Sequence, residues 1–289
     1  MIRGLYSTIG IFFVTFITSF SLSSSLPIHI EEGVNSLSVD RLSYCSPVDI
    51  KKFNCEDCND RTLIGLYDPP SKASSQAVVV YDDEDNEILV GFRGTINKIS
   101  QWASDLDTVY TRWKYGNGNV HSGFYDRFDE IKAPVMSFLR IAKKIHPKAS
   151  IIVSGHSMGG AVATMFSMYL DTVYPSYSPS FVYTFGSPRV GDKTFATQVD
   201  KTFGDKLIRV MNEWDMVTDL PPTAFGYRHT GKLISCVTGT LKCTEYGRLD
   251  ENKGGLLMAL KRVVKTAEDV NLCHLTYLDD TIGSKRYKC

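Results

Sequence analysis

The run IIVSGHSMGG, at 151–160, constrains the fold of this chain more than any other stretch. Four strand-like residues lead into a serine boxed by Gly155 and Gly159, and AVATMFSMYL then continues with helical character. Gly155-His156-Ser157-Met158-Gly159 has the G-x-S-x-G spacing of a nucleophile elbow, where a serine sits on a strained turn between strand and helix. Side chains two residues either side of that serine would strike the neighbouring strand and helix, and glycine removes the collision. A serine that merely caps a helix carries the same short pattern. The strand before it and the helix after it give the elbow its weight.

Strands and helices alternate along the rest of the chain. QAVVVYDD and EILVGFRG are short and β-branched, with a turn at 82–86, and predict a hairpin entering a sheet. Phe124, Phe128, Ile131, Val135, Phe138, Ala142 and Ile145 recur at helical spacing, and Pro134 inside the run implies a kink or a later start. Strand 149–153, helix 158–173, strand 180–186, a short helix after Asp192 and strand 206–211 follow. VNSLSVDRLSYCSPVDIKK, at 34–52, reads as a helix wrapping the domain. The alternation predicts an α/β fold with a central, mainly parallel sheet flanked by helices. A length of 289 residues suits one such domain with a large core and is short for two.

The N-terminus has Arg3 as its only charge before Glu31, an apolar heart from Ile9 to Phe20, and small residues at Ser23 to Ser25. That is signal-peptide anatomy. We expect a signal peptide at 1–25 and a single secreted or lumenal domain at 26–289, with no integral membrane span after cleavage. Seven cysteines fit an oxidising compartment. Cys55 and Cys58 read as a local disulfide rather than a zinc or redox pair, and Cys236 and Cys243 flank a hairpin-like loop suited to a second. Cys45 and Cys289 would then tie the start of the mature chain to its end. Lys plus Arg and Asp plus Glu each number 32, so no global field points to nucleic acid. We expect no cofactor, no metal and a monomer.

A serine hydroxyl needs a histidine base, itself oriented by a carboxylate. After this elbow the chain order is acid, then histidine. Only His229 and His274 lie downstream. Asp215, just past a strand end in LIRVMNEWDMVTDLPP, is positioned as the acid, with Glu213, Asp219 and Asp192 as rivals.

Several ordered blocks carry a resemblance: GFRGT (91–95), QWASDLD (101–107), VHSGFYDRF (120–128), IIVSGHSMGGAVA (151–163), TFGSPRVGD (184–192), NEWDMVTDLPP (212–222), GYRHTG (226–231) and CHLTY (273–277). Together they make the chain resemble the class 3 lipases, the fungal triacylglycerol lipase and feruloyl esterase family of the α/β-hydrolase fold. The resemblance implies Ser157 as nucleophile, Asp215 as acid and His274 as base, with His229 structural. It puts His156 at the variable elbow position with its ring turned from the reaction.

The resemblance also implies an oxyanion hole from Met158 and Thr95, with Arg93 an ion-pairing residue and Gly94 a close-approach point. Ile96, Ile99 and Trp102, in the 95–107 segment, would be the apolar face of a short helical lid. The implied disulfides are Cys45–Cys289, Cys55–Cys58 and Cys236–Cys243, leaving Cys273 unassigned. The implied activity is triacylglycerol hydrolysis at a lipid–water interface. A phospholipase, a feruloyl-type esterase and a catalytically silent lipid-binding protein are the alternatives.

Overall fold

The computed structural model describes residues 28–53, 55–58, 61–69, 75–95, 106–237, 242–246, 274–277 and 280–281. The expected signal peptide, the lid residues Ile96, Ile99 and Trp102, and Cys273 and Cys289 lie outside the described residues.

Eight strands form one sheet: β1 (Arg61–Tyr67), β2 (Ala77–Asp82), β3 (Glu87–Phe92), β6 (Ser150–His156), β7 (Phe181–Phe185), β9 (Leu207–Asn212), β11 (Lys232–Cys236) and β12 (Cys243–Tyr246), in that spatial order. From β3 to β11 every neighbour is parallel, and antiparallel hairpins close both edges. Five parallel strands need helical crossovers, and these supply the two covering layers. One face, through Val79, Val90, Val153 and Val182, packs on α3 (Ser122–Ile145), α4 (Met158–Val173) and α5 (Lys193–Phe203). The other face, through Val80, Leu89, Ile152 and Val210, packs on α1 (Ile28–Leu42) and α2 (Pro47–Lys52).

Two helix expectations need correction. The segment 34–52 is two helices, because Pro47 cannot continue α1 and Ser46 caps α2 by accepting from the Asp49 N–H. The helix with Pro134 does not start later: it begins at Ser122, capped by His121, and continues through Pro134 to Ile145. Ile145, expected on its buried stripe, is 59% exposed. A second sheet escaped sequence reading. It has the order β10 (Tyr227–Arg228), β8 (Gly191–Asp192), β5 (Asn119–His121) and β4 (Tyr110–Arg112), each strand only two or three residues long. A short β13–β14 pair (Thr276–Tyr277 with Asp280–Thr281) follows His274.

Cys55–Cys58 and Cys236–Cys243 are disulfides, the latter across directly paired positions of β11 and β12. Cys45 is disulfide-bonded as well.

Candidate active site

β6 delivers Ser157 to the carboxyl end of the sheet, where open α/β sheets place their ligands. Ser157 has φ 58° and ψ −129°, a left-handed conformation that a serine adopts only when its surroundings enforce it. Its N–H donates to the Phe185 carbonyl at 2.8 Å, and its own carbonyl accepts from Gly160 at 2.9 Å. The flanking glycines are steric necessities. A Cβ on Gly155 would lie 2.2 Å from the Gly159 carbonyl oxygen, and one on Gly159 would lie 2.0 Å from that of Phe92. Strand, turn and helix therefore pack backbone to backbone.

Asp215 follows β9 and is fully buried. Its Oδ1 accepts the Val217 N–H at 2.9 Å, and its Oδ2 accepts from His274 Nδ1 at 2.8 Å and from the Tyr277 hydroxyl. With Nδ1 committed as a donor, the lone pair of neutral His274 sits on Nε2. His274 Nε2 and Ser157 Oγ are both buried, and among the described residues neither has a hydrogen-bond partner. Gly186, at φ +57°, makes room for this cluster: its Cβ would fall 2.2 Å from the Tyr277 hydroxyl, 2.6 Å from Asp215 Oδ2 and 3.0 Å from His274 Cε1.

The rivals are engaged elsewhere. Asp192 caps α5, accepting from the Phe195 N–H and from Asn119. Asp219 and Glu213 are partly exposed, unlike Asp215. The His229 Nε2 bonds the Thr218 carbonyl at 2.7 Å, so this ring is tied to backbone rather than to Asp215. Of the two downstream histidines, only His274 meets the buried carboxylate.

Thr95, at the end of β3's continuation, and Met158, at the start of α4, lie side by side: the Thr95 hydroxyl is 3.7 Å from the Met158 sulfur. The Thr95 hydroxyl thus donates to the thioether, and the backbone N–H groups are the candidate oxyanion donors. Arg93 is buried and donates to Gln76 Oε1 at 3.0 Å, in keeping with a structural role.

His156 occupies the variable elbow position with its ring fully buried, 4.7 Å from the His274 ring, and with both nitrogens bonded. Tyr44, Tyr277 and Gly186 escaped sequence reading. Of these, only Gly186, at the end of a strand in TFGSPR, carries a local signal. Among the described residues, no group of three or more His, Cys, Asp or Glu could hold a metal ion, and no helix is long and apolar enough to cross a membrane.

A family model for lipase (class 3) matches residues 89–225, from β3 past Asp215. The chain is 36% identical over 186 residues to a secreted mono- and diacylglycerol lipase of Fusarium solani, covering 64% of this chain and 54% of that one. It is 31% identical over 218 residues to a secreted mono- and diacylglycerol lipase of Malassezia globosa, covering 72% of this chain and 70% of that one. It therefore spans about half the length of the first relative, 54%, and more of the second. The structure of lipase II from Rhizopus niveus superposes with a TM-score of 0.77 at 26% identity, covering 88% of this chain and 96% of that one. The family model, the 31%-identical relative and the superposition agree, and the chain belongs to the class 3 lipase family.

Proposed function

We propose that this protein is a secreted serine ester hydrolase that cleaves triacylglycerol through an acyl-enzyme. The observation that carries the reading is the fully buried Asp215–His274 pair, 2.8 Å apart, at the same end of the sheet as a serine held at φ 58°. Ser157 attacks the ester carbonyl while His274 Nε2 takes its proton. The imidazolium so formed keeps its Nδ1–H on Asp215, whose other donors, Val217 N–H and Tyr277 O–H, hold the carboxylate in place.

The tetrahedral oxyanion accepts from the N–H groups of Met158 and Thr95, each worth roughly 3 kcal/mol of barrier. His274 then protonates the departing glyceride oxygen. Water, deprotonated by the same nitrogen, releases the fatty acid and restores Ser157. No step calls for a metal or cofactor. The lipid–water interface as working surface, the 95–107 segment as lid, cleavage of a signal peptide near residue 25 and a monomeric state belong to the same proposal.

A second reading concerns substrate. Both relatives above are named as mono- and diacylglycerol lipases, which favours partial glycerides over triacylglycerol. Purified protein and its Ser157→Ala variant, assayed on emulsified long-chain triacylglycerol and on the matching diacylglycerol, separate the two. We expect triacylglycerol hydrolysis that disappears in the variant. Turnover of diacylglycerol alone moves the substrate to partial glycerides, and hydrolysis that persists in Ser157→Ala contradicts the mechanism.

A further inference from the structure

The hydrogen bonds of His156 have a forced polarity. Nε2 lies 2.8 Å from the main-chain oxygen of His274, which only accepts, so Nε2 carries the ring proton. Nδ1 is then a lone pair, and the Tyr44 hydroxyl 2.6 Å away donates to it. The phenol oxygen, its one hydrogen committed, accepts the Gly94 N–H at 3.0 Å. The chain of donors thus runs from Gly94 through Tyr44 and His156 to the backbone of His274, without a break.

Both ends of this chain lie at the proposed chemistry. Gly94 directly precedes Thr95, and it touches the elbow so closely that a Cβ there would lie 2.7 Å from the Tyr44 hydroxyl and 2.8 Å from Ser157 Cβ. The other end is His274 itself, whose ring packs against that of His156. Burial, and then the neighbouring His274, push His156 well below the usual imidazole range. Burial pushes the Tyr44 phenol above its ordinary value. Both shifts favour the neutral forms of the two links, as a fixed support requires.

We infer that Tyr44 and His156 are positioning residues, a single hydrogen-bonded strut that holds the oxyanion loop and the catalytic histidine in register on either side of Ser157. The inference rests on the triad reading above. Tyr44 sits 112 residues from His156, in the connection between α1 and α2, so the N-terminal helices belong to the working site as well as to the covering layer. Neither residue touches substrate. Their effect arises because a displacement of about 1 Å between reacting groups costs on the order of a hundredfold in rate.

Tyr44→Phe keeps the ring and deletes the hydroxyl. We expect kcat on a soluble ester to fall about 10- to 100-fold with KM within about twofold, and inactivation by a fluorophosphonate to slow in parallel. Tyr44→Phe combined with His156→Leu should lose no more than the worse single variant, since one strut is broken either way. An unchanged kcat in Tyr44→Phe with only a lower melting temperature overturns the inference, and so do losses that multiply. If the variants do not fold, ¹⁵N spectra of the wild-type imidazoles decide: a proton on Nε2 of His156 supports the strut, and one on Nδ1 overturns it. Wild-type protein without Ser157-dependent turnover would sink the triad reading and the strut together. Wild-type turnover matched by Tyr44→Phe would sink the strut alone.

Discussion

Ser157 is positioned by backbone packing around the elbow, whereas His274, among the described residues, is held by side chains from distant segments. Around the serine, β6, the turn and α4 form one local unit in which Gly155 and Gly159 let three stretches of backbone touch. Around the histidine, no such unit is found among the described residues. Its ring is held by Asp215, 59 residues away, and its carbonyl by His156, 118 residues away. The strand that follows is tied by Asn212, which donates to the Thr276 carbonyl, and by Tyr277, which donates to Asp215. The nucleophile is fixed by backbone sterics and the base by side-chain hydrogen bonds. Damage to the first should therefore appear as lost folding, and damage to the second as lost rate.

The largest effect expected on the base side comes from Asp215→Asn. An amide presents N–H to His274 Nδ1 and forces the proton to Nε2, leaving no base toward the serine. We expect kcat to drop by about 10⁴ with KM and the folded spectrum preserved. A drop below tenfold would remove Asp215 from the account.

A pair of glycine variants tests the contrast itself. Gly159→Ala drives a methyl group into the Phe92 backbone, which cannot step aside, and should cost about 3 kcal/mol or more in urea unfolding. Gly186→Ala meets mainly the ends of the Tyr277, Asp215 and His274 side chains, which can move. It should lose roughly a hundredfold in kcat while costing only about 1 to 2 kcal/mol, the expense of a methyl group at positive φ. Equal stability losses with equal rates would erase the distinction between the two regions.

The smallest effect is a pH slope in stability. His156, which joins the two regions, and His121, which caps α3, are both held below the ordinary imidazole range, chiefly by burial. Below about pH 6.5 the unfolded chain takes up protons that the folded protein refuses, so stability present above that pH is lost as the pH falls. Asp40 works in the opposite sense: burial raises its carboxyl, so its contribution is present in acid and is lost as the pH rises above about 4. The unfolding free energy from urea titrations, measured from pH 7 downward, should fall by roughly 1 kcal/mol per pH unit, and replacing Asp40 with Asn should steepen that fall. A flat profile in both proteins contradicts the neutral His156 on which the strut depends.

The elbow was legible in the sequence because its physics is local: a strand, a boxed serine and a helix announce themselves within about twenty residues. The mainly parallel sheet was legible for the same reason, from alternating strand and helix patterns. The acid and base were narrowed to a few candidates by chain order, but choosing His274 over His229 on geometry takes the tertiary contacts: one ring reaches a carboxylate and the other a carbonyl. Tyr44 and Tyr277 could not be read, since a lone tyrosine on a loop or short strand looks the same whether or not its hydroxyl finds a distant partner. The small second sheet was missed because strands of two or three residues have no period to detect. The break at Pro47 was written in Ser46-Pro47, a cap followed by a residue without an N–H.

The most direct test of the central claim is reaction of the folded wild-type protein with a fluorophosphonate, with the adduct located by mass spectrometry. We expect one equivalent bound, on Ser157, and none in Ser157→Ala. A folded protein that forms no adduct, or forms it on another serine, would contradict the claim that the glycine-boxed serine and the Asp215–His274 pair are one catalytic machine.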